Sequence, residues 1–180
     1  MKKIHLFIIV FLSCFSLMAQ QQKIEDIVDI RLPVGTRKLT TQELKTITDA
    51  NTKHPAISKQ KAGVANEYYS IDSFTLELNG SPVKVSKNYL EDTKKGYDNL
   101  FKIGGHPCTE CTSEIKKINN YTVLIIHQGL QDSGYYAFFS VDDKNSAAVN
   151  GILDYSKLNA NNKSKALKAV YQILNGMTFK

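Results

Sequence analysis

The sequence of 180 residues predicts an α+β fold in which helices pack on a largely antiparallel sheet. Three observations predict it. Several short runs alternate apolar and polar residues, the period of a strand with one buried face. Two of these runs end at Asn-Gly or Asn-Asn, residues that tolerate the backbone of a tight hairpin. The chain then closes on an amphipathic segment whose apolar stripe needs a sheet beneath it.

In chain order, residues 1–19 stand apart. Lys2 and Lys3 precede an apolar run from Ile4 to Met18, and small Ala19 is followed by polar Gln20-Gln21-Gln22. These are the three parts of a secretory signal peptide, so the mature chain is expected to begin near Gln20. The run is short for a membrane span, and no transmembrane span is expected after cleavage. An uncleaved anchor and a lipoprotein acylated on Cys14 are the alternatives, and Phe11-Leu12-Ser13 makes a poor lipobox for the second. Export places the protein in the periplasm or beyond. Residues 20–180 then form a single domain, long enough for one proper core.

Ile24 to Leu32 reads as a first strand, stopped by Pro33-Val34-Gly35. Thr40-Thr41-Gln42-Glu43 is a capping box, in which the threonine and glutamate side chains satisfy each other's free amides. The helix it opens runs to about Ala50, with Leu44 and Ile47 apolar, and the lysine-rich stretch 51–63 around Pro55 reads as a loop. Tyr69, Ile71, Phe74, Leu76 and Leu78 read as one long strand, Asn79-Gly80 as its hairpin turn and Val83-Lys84-Val85 as the return. Ser86 caps a helix from Asn88 towards Ile103, with Tyr89, Leu90, Leu100, Phe101 and Ile103 apolar and Gly96 weakening the middle.

Thr112 to Ile118 fits a strand or a helix. The Asn119-Asn120 turn into the strong strand Tyr121 to Gln128 decides for a strand. Tyr135 to Val141 and Ile152 to Tyr155 are two more. The last helix spans about Asn161 to Asn175, with Leu167, Val170, Tyr171 and Leu174 on one face and Gly176 just past its end.

This order, with Ile30-Arg31-Leu32-Pro33-Val34-Gly35 near the start and Ile173-Leu174-Asn175-Gly176-Met177-Thr178-Phe179-Lys180 at the end, resembles the PsbP-like superfamily. That superfamily includes the extrinsic PsbP protein of photosystem II and small bacterial envelope proteins of the DcrB kind. The resemblance covers nearly the whole mature chain. It implies an α/β/α sandwich that acts as a binding or accessory module, with no enzyme.

The formal charge is +6, from 23 basic and 17 acidic residues. Without Lys2 and Lys3 it is 21 − 17, or +4. Only Arg31 and Arg37 are arginines, and no stripe of clustered Arg with interleaved aromatics marks a nucleic-acid site. No cofactor motif is present either.

Cys108-Thr109-Glu110-Cys111 is the one local pattern with chemistry. An oxidising compartment favours a disulfide between Cys108 and Cys111. A thiol–disulfide oxidoreductase is a second reading. It needs a thiol activated at a helix start. The flanks differ from a thioredoxin-like frame, because Gly104-Gly105-His106-Pro107 precedes the motif and no proline follows it. A zinc site from His106, Cys108 and Cys111, completed by His127 or Glu110, is a third. No second Cys or His pair at zinc spacing accompanies it.

Of the other polar residues, His127 on a strand reads as structural. Ser133 lacks a nucleophile elbow, and Asp142-Asp143 and Asp154 lack calcium-loop spacing. The adjacent pairs Tyr68-Tyr69 and Tyr135-Tyr136 fall on strands, where neighbours point to opposite faces. One tyrosine of each pair is expected to face out, which makes these four residues the candidate binding face. The expected function is therefore an exported, non-catalytic module that binds an unknown protein or envelope component. An exported redox protein using Cys108 and Cys111 is the alternative.

Overall fold

A computed structural model describes residues 21–24, 27–51, 66–82, 84–103, 108, 110–129, 133–155 and 159–180. The expectations for residues 1–19 and for the loop 52–63 lie outside the described residues.

Alternating side chains and tight turns produce a seven-stranded sheet in which all neighbours are antiparallel. Its strands are β3 (Arg37–Lys38), β4 (Asn66–Ile71), β5 (Phe74–Ser81), β6 (Cys111–Ile118), β7 (Tyr121–Gly129), β8 (Gly134–Val141) and β9 (Ala148–Tyr155), in the order β3-β4-β5-β9-β8-β7-β6. A second sheet has the order β1-β2-β10, from β1 (Gln21–Ile24), β2 (Val28–Arg31) and β10 (Met177–Phe179). The helices are α1 (Thr41–Asn51), α2 (Tyr89–Ile103) and α3 (Ala160–Asn175). The α+β class expected from the sequence is the class observed.

Several boundaries differ from expectation, and β9 begins at Ala148 rather than Ile152. The first strand is a hairpin of two, β1 and β2. The long strand around Phe74 is also two, because Asp72 takes a left-handed turn at φ 53° where Asp72-Ser73 reverses the chain. Asn79 and Gly80 consequently lie inside β5, paired with Asn150 and Val149, rather than in a turn. Lys84 and Val85 belong to no strand, and Val83 lies outside the described residues. The Asn119-Asn120 hairpin is present, with Asn119 at φ 51°. So is the capping box, where the Thr40 amide donates to Glu43 Oε2 at 2.9 Å and the Glu43 amide to Thr40 Oγ1 at 3.3 Å.

The sheet separates two apolar layers. On one face lie Tyr69, Ile71, Phe74, Leu76, Leu78, Val123, Ile125, Tyr136, Phe138, Val149, Leu153 and Tyr155, packed with α3 and the small sheet. The helix presents Ala166, Ala169, Val170, Ile173 and Leu174, all buried. Val170 and Leu174 are at its centre as expected. Leu167 and Tyr171 are only partly buried at its margin, because Ile173 shares the contact stripe. On the other face Leu124, Ile126, Ala137, Val141 and Ala148 pack beneath α2 through Leu90, Tyr97 and Phe101. The result is a helix–sheet–helix sandwich.

Gly176 ends α3 with an ordinary backbone at φ −87°. The close approach of β2 is what requires glycine here, since a Cβ would lie 2.4 Å from the Arg31 carbonyl oxygen. The chain can then turn into β10, where Met177 pairs with Ile30. The two terminal segments that carry the superfamily resemblance are thus joined edge to edge.

Candidate functional site

The four candidate tyrosines divide by strand geometry. Tyr69 and Tyr136 point into the α3-side core and are 0% and 4% exposed. They offer no surface, so as binding-face residues they are corrected to core: each follows the apolar phase of its strand. Tyr68 and Tyr135 point to the opposite face and are half-buried. Of the four candidates, these two keep part of their surface exposed.

The sheet register places them together. One row across the α2 side runs Ser70, Thr75, Asp154, Tyr135, Gln128. The next row runs Tyr68, Glu77, Ile152, Ala137, Ile126. The first row is polar along its length around the Tyr135 ring, and the second turns from Tyr68 and Glu77 on β4 and β5 to apolar Ile152, Ala137 and Ile126 on β9, β8 and β7. Tyr135 donates to Gln128 Oε1, and Tyr68 bonds the Glu77 carboxyl. Glu77 is only 8% exposed. Burial, reinforced by the nearby Asp154 carboxylate, raises its pKa above the usual carboxylate range, while the Tyr68 bond opposes the rise. Burial also raises the pKa of Tyr135, with Tyr97 and Asp154 adding to the effect.

Helix α2 borders this face. Asp98 fastens it to the edge strand, accepting from Ser113 of β6 and from Lys94 Nζ at 2.6 Å. On its other side Tyr89 meets Asn150 of β9. Tyr89, Thr93, Gly96, Leu100 and Ile103 recur at three- and four-residue steps and share one stripe. That stripe therefore turns from β6 towards β9. Leu100 and Ile103, two of the apolar positions read in this helix, are 64% and 77% exposed. Asp98 and Tyr97 set the roll of the helix, so its apolar residues are split between a buried side and an open one. Sequence reasoning missed Glu77 as well. The polar phase Thr75, Glu77, Asn79 within β5 was the signal, hidden by the assignment of Asn79 to a turn.

The cysteine motif lies at the end of the same sheet. Cys108 and Cys111 form a disulfide with their Cα atoms 5.4 Å apart, and both residues are partly buried. Cys111 opens strand β6 and Cys108 lies before it, so neither sulfur sits at the helix start that would activate a thiol. Cys108 Sγ is 3.6 Å from the Gly129 carbonyl oxygen, and Glu110 pairs with Lys163 of α3 at 3.2 Å. His106 lies outside the described residues. Among the described residues, no group of three or more His, Cys, Asp or Glu side chains is placed to hold a metal.

His127 is a core residue at 2% exposure, with Nε2 2.7 Å from the Tyr155 hydroxyl. Its ring lies 4.6 Å from that of Tyr136. Burial lowers its pKa, and the Lys163 charge lowers it further, so the neutral ring is favoured. Ser133 is half-buried before β8, and Asp142 caps the turn before β9 through the Ser146 and Ala147 amides at 2.7 and 3.2 Å. Among the described residues no helix is long and apolar enough to cross a membrane.

No protein-family model and no curated protein matches the chain. Among solved structures, the Ran-binding protein Mog1p of Saccharomyces cerevisiae is similar at a TM-score of 0.47 and 7% identity, over 91% of this chain and 96% of that one.

Proposed function

We propose that the chain is an exported, non-catalytic binding module of the PsbP-like kind, which recognises a protein or other envelope component through the sheet face that carries Tyr68 and Tyr135. One observation carries the proposal: the two tyrosines share that face, half-buried, beside a helix that leaves Leu100 and Ile103 exposed. Tyrosines bury area at low entropic cost, and partly exposed large side chains beside polar groups are the composition of a recognition surface. The signal-peptide pattern of residues 1–19 supports export, and the bridged Cys108–Cys111 motif at the start of a strand supports a structural role for the cysteines.

The experiment is affinity capture with chemical cross-linking from the native envelope fraction, comparing the mature protein with Tyr68→Ala/Tyr135→Ala. The proposal expects cross-linked partners that disappear in the double variant while circular dichroism shows it still folded. Capture unchanged by the double substitution would remove this face from the function. Intact-mass measurement of exported material tests the location, with a start near Gln20 expected and a species retaining Met1 or beginning at acylated Cys14 counting against it.

A further inference from the structure

We propose that strand β6 pairs with the β6 of a second copy, antiparallel about a two-fold axis at Ile115, so that two seven-stranded sheets join into one. The pairing does not depend on the Tyr68–Tyr135 face. β6 is the last strand of its sheet, with β7 on one side of it. The Gly129 amide donates to the Glu110 carbonyl oxygen at 3.3 Å, and the same register continues through Thr112 and His127, Glu114 and Ile125, and Lys116 and Val123. Bonding alternates along an antiparallel ladder, so the even-numbered residues turn their amides and carbonyls to β7, while Ser113, Ile115 and Lys117 turn theirs outward. Among the described residues, no other backbone group bonds these outward amides and carbonyls. Helix α2 lies over the face of the sheet rather than in its plane. It reaches Ser113 through the hydroxyl, and the apolar side chains beneath it, Leu124, Ile126, Ala137 and Val141, belong to strands inside the edge.

Charge complementarity selects a second copy as the occupant. Exposed edges are commonly guarded by charge, lysine above all. Here the guard matches itself. Laid antiparallel on its own copy about Ile115, the run Ser113-Glu114-Ile115-Lys116-Lys117 sets Glu114 opposite Lys116 twice and Ile115 opposite Ile115. Glu114 and Lys116 already pair along the strand at 2.8 Å, on the α3 side where Lys116 also meets the Tyr171 hydroxyl. The second copy closes them into a ring of four alternating charges. On the α2 side Lys117 falls opposite Ser113, which is bonded to the Asp98 carboxylate. Neighbouring registers fail. A slip of one residue sets outward backbone groups against groups already turned to β7. A slip of two sets Glu114 opposite Glu114 or Lys116 opposite Lys116, and like charges directly opposite are destabilising. The net charge of +6 opposes association at long range, but salt screens it beyond about 8 Å, and the contacting pairs then decide.

Sedimentation equilibrium of the mature protein tests the pairing, with circular dichroism to confirm that each variant is folded. Wild type should show a concentration-dependent equilibrium between monomer and dimer. Glu114→Lys and Lys116→Glu should each weaken the dimer about tenfold or more, because each sets like charges opposite one another at two places. An equimolar mixture of the two variants should restore a dimer near wild-type affinity, since opposite charges then face each other again. No effect confined to the monomer produces that recovery. Lys117→Pro should abolish the dimer and spare the fold, because this exposed residue turns its amide outward and proline is tolerated there on an edge strand. If Lys116→Glu does not fold, Glu114→Lys and Lys117→Pro carry the test. A wild type that stays monomeric at every concentration, or variants that dimerise as wild type does, would overturn the proposal. So would a mixture that restores nothing, or a dimer broken by Leu100→Ser/Ile103→Ser and left intact by Lys117→Pro, which would place the contact on α2.

Discussion

His127 Nε2 and the Tyr155 hydroxyl meet at 2.7 Å across strand β8, inside the core that α3 covers. Each group is the other's partner there. His127 Nδ1 has no hydrogen-bond partner among the described residues. Tyr155→Phe should therefore cost about 1–3 kcal/mol, the penalty of leaving a buried polar nitrogen unpaired. The double change His127→Phe/Tyr155→Phe should cost less than the sum of the singles. Urea melts of the four proteins measure the coupling.

The same pair predicts acid sensitivity. The folded state holds His127 below its ordinary value of about 6.5, chiefly through burial, so the folded protein resists protonation there and the unfolded chain does not. Stability from this residue is complete above about pH 6.5 and falls as pH drops from that value towards the lowered one. The His127→Phe/Tyr155→Phe variant should lose less stability than wild type between about pH 7 and 5. Parallel curves for the two proteins would remove His127 as the cause.

Gly151 faces Phe138 directly across the β8–β9 ladder, and the ring lies over its α-carbon. A Cβ at Gly151 would fall 2.1 Å from Phe138 Cζ, and Phe138 is fully buried with little room to rotate. Gly151→Ala should cost about 1–3 kcal/mol through overpacking. For a domain of this size each kcal/mol lowers Tm by about 2–4 °C. Gly151→Ala/Phe138→Leu should recover part of the loss, which a backbone effect of alanine would not allow.

Much of this architecture was legible in local pattern. The terminal helix, the β6–β7 hairpin and the strands β7 and β8 each rest on a dense periodic run, and such runs survive any tertiary arrangement. The split of β4 from β5 was not legible, because Asn79-Gly80 is a stronger hairpin signal than Asp72-Ser73. Pairing with Asn150 and Val149 of β9 overrode it. The short strand β10 was also missed: three residues carry no period, and Met177 becomes a strand residue only because β2 is beside it. For the candidate site, alternation separated each tyrosine pair but could not say which member faces the core. Leu100 and Ile103 looked like core residues because helical spacing does not reveal the roll that Asp98 and Ser113 impose.

Leu174 is wholly buried against the sheet, and its carbonyl accepts from the Tyr121 hydroxyl. Leu174→Ala should cost about 2–5 kcal/mol, from lost transfer energy and the cavity left behind. Leu174→Asp should be worse, since it buries an unpaired charge. Chemical denaturation separates the two, and Leu167→Ala at the margin of the helix should cost distinctly less than Leu174→Ala. Equal effects at the two positions would contradict the observed roll of α3.

Cys108 and Cys111 close a loop with a sequence separation of only 3. In the chain-entropy account such a bridge contributes about 2 kcal/mol, well below the roughly 4.7 kcal/mol of a bridge closing a hundred residues. Cys108→Ser/Cys111→Ser should therefore melt a few degrees lower and remain folded, held by the β6–β7 ladder and by the Glu110–Lys163 pair at 3.2 Å. Thiol labelling of the unfolded mature protein should find no free thiol until reductant is added. The serine variant should keep its envelope partners, since the Tyr68–Tyr135 face lies on the sheet and not on this loop. Insulin reduction by wild type that is lost in the serine variant would instead make the pair redox-active, and a variant unable to fold would show that the bridge holds far more than its short loop.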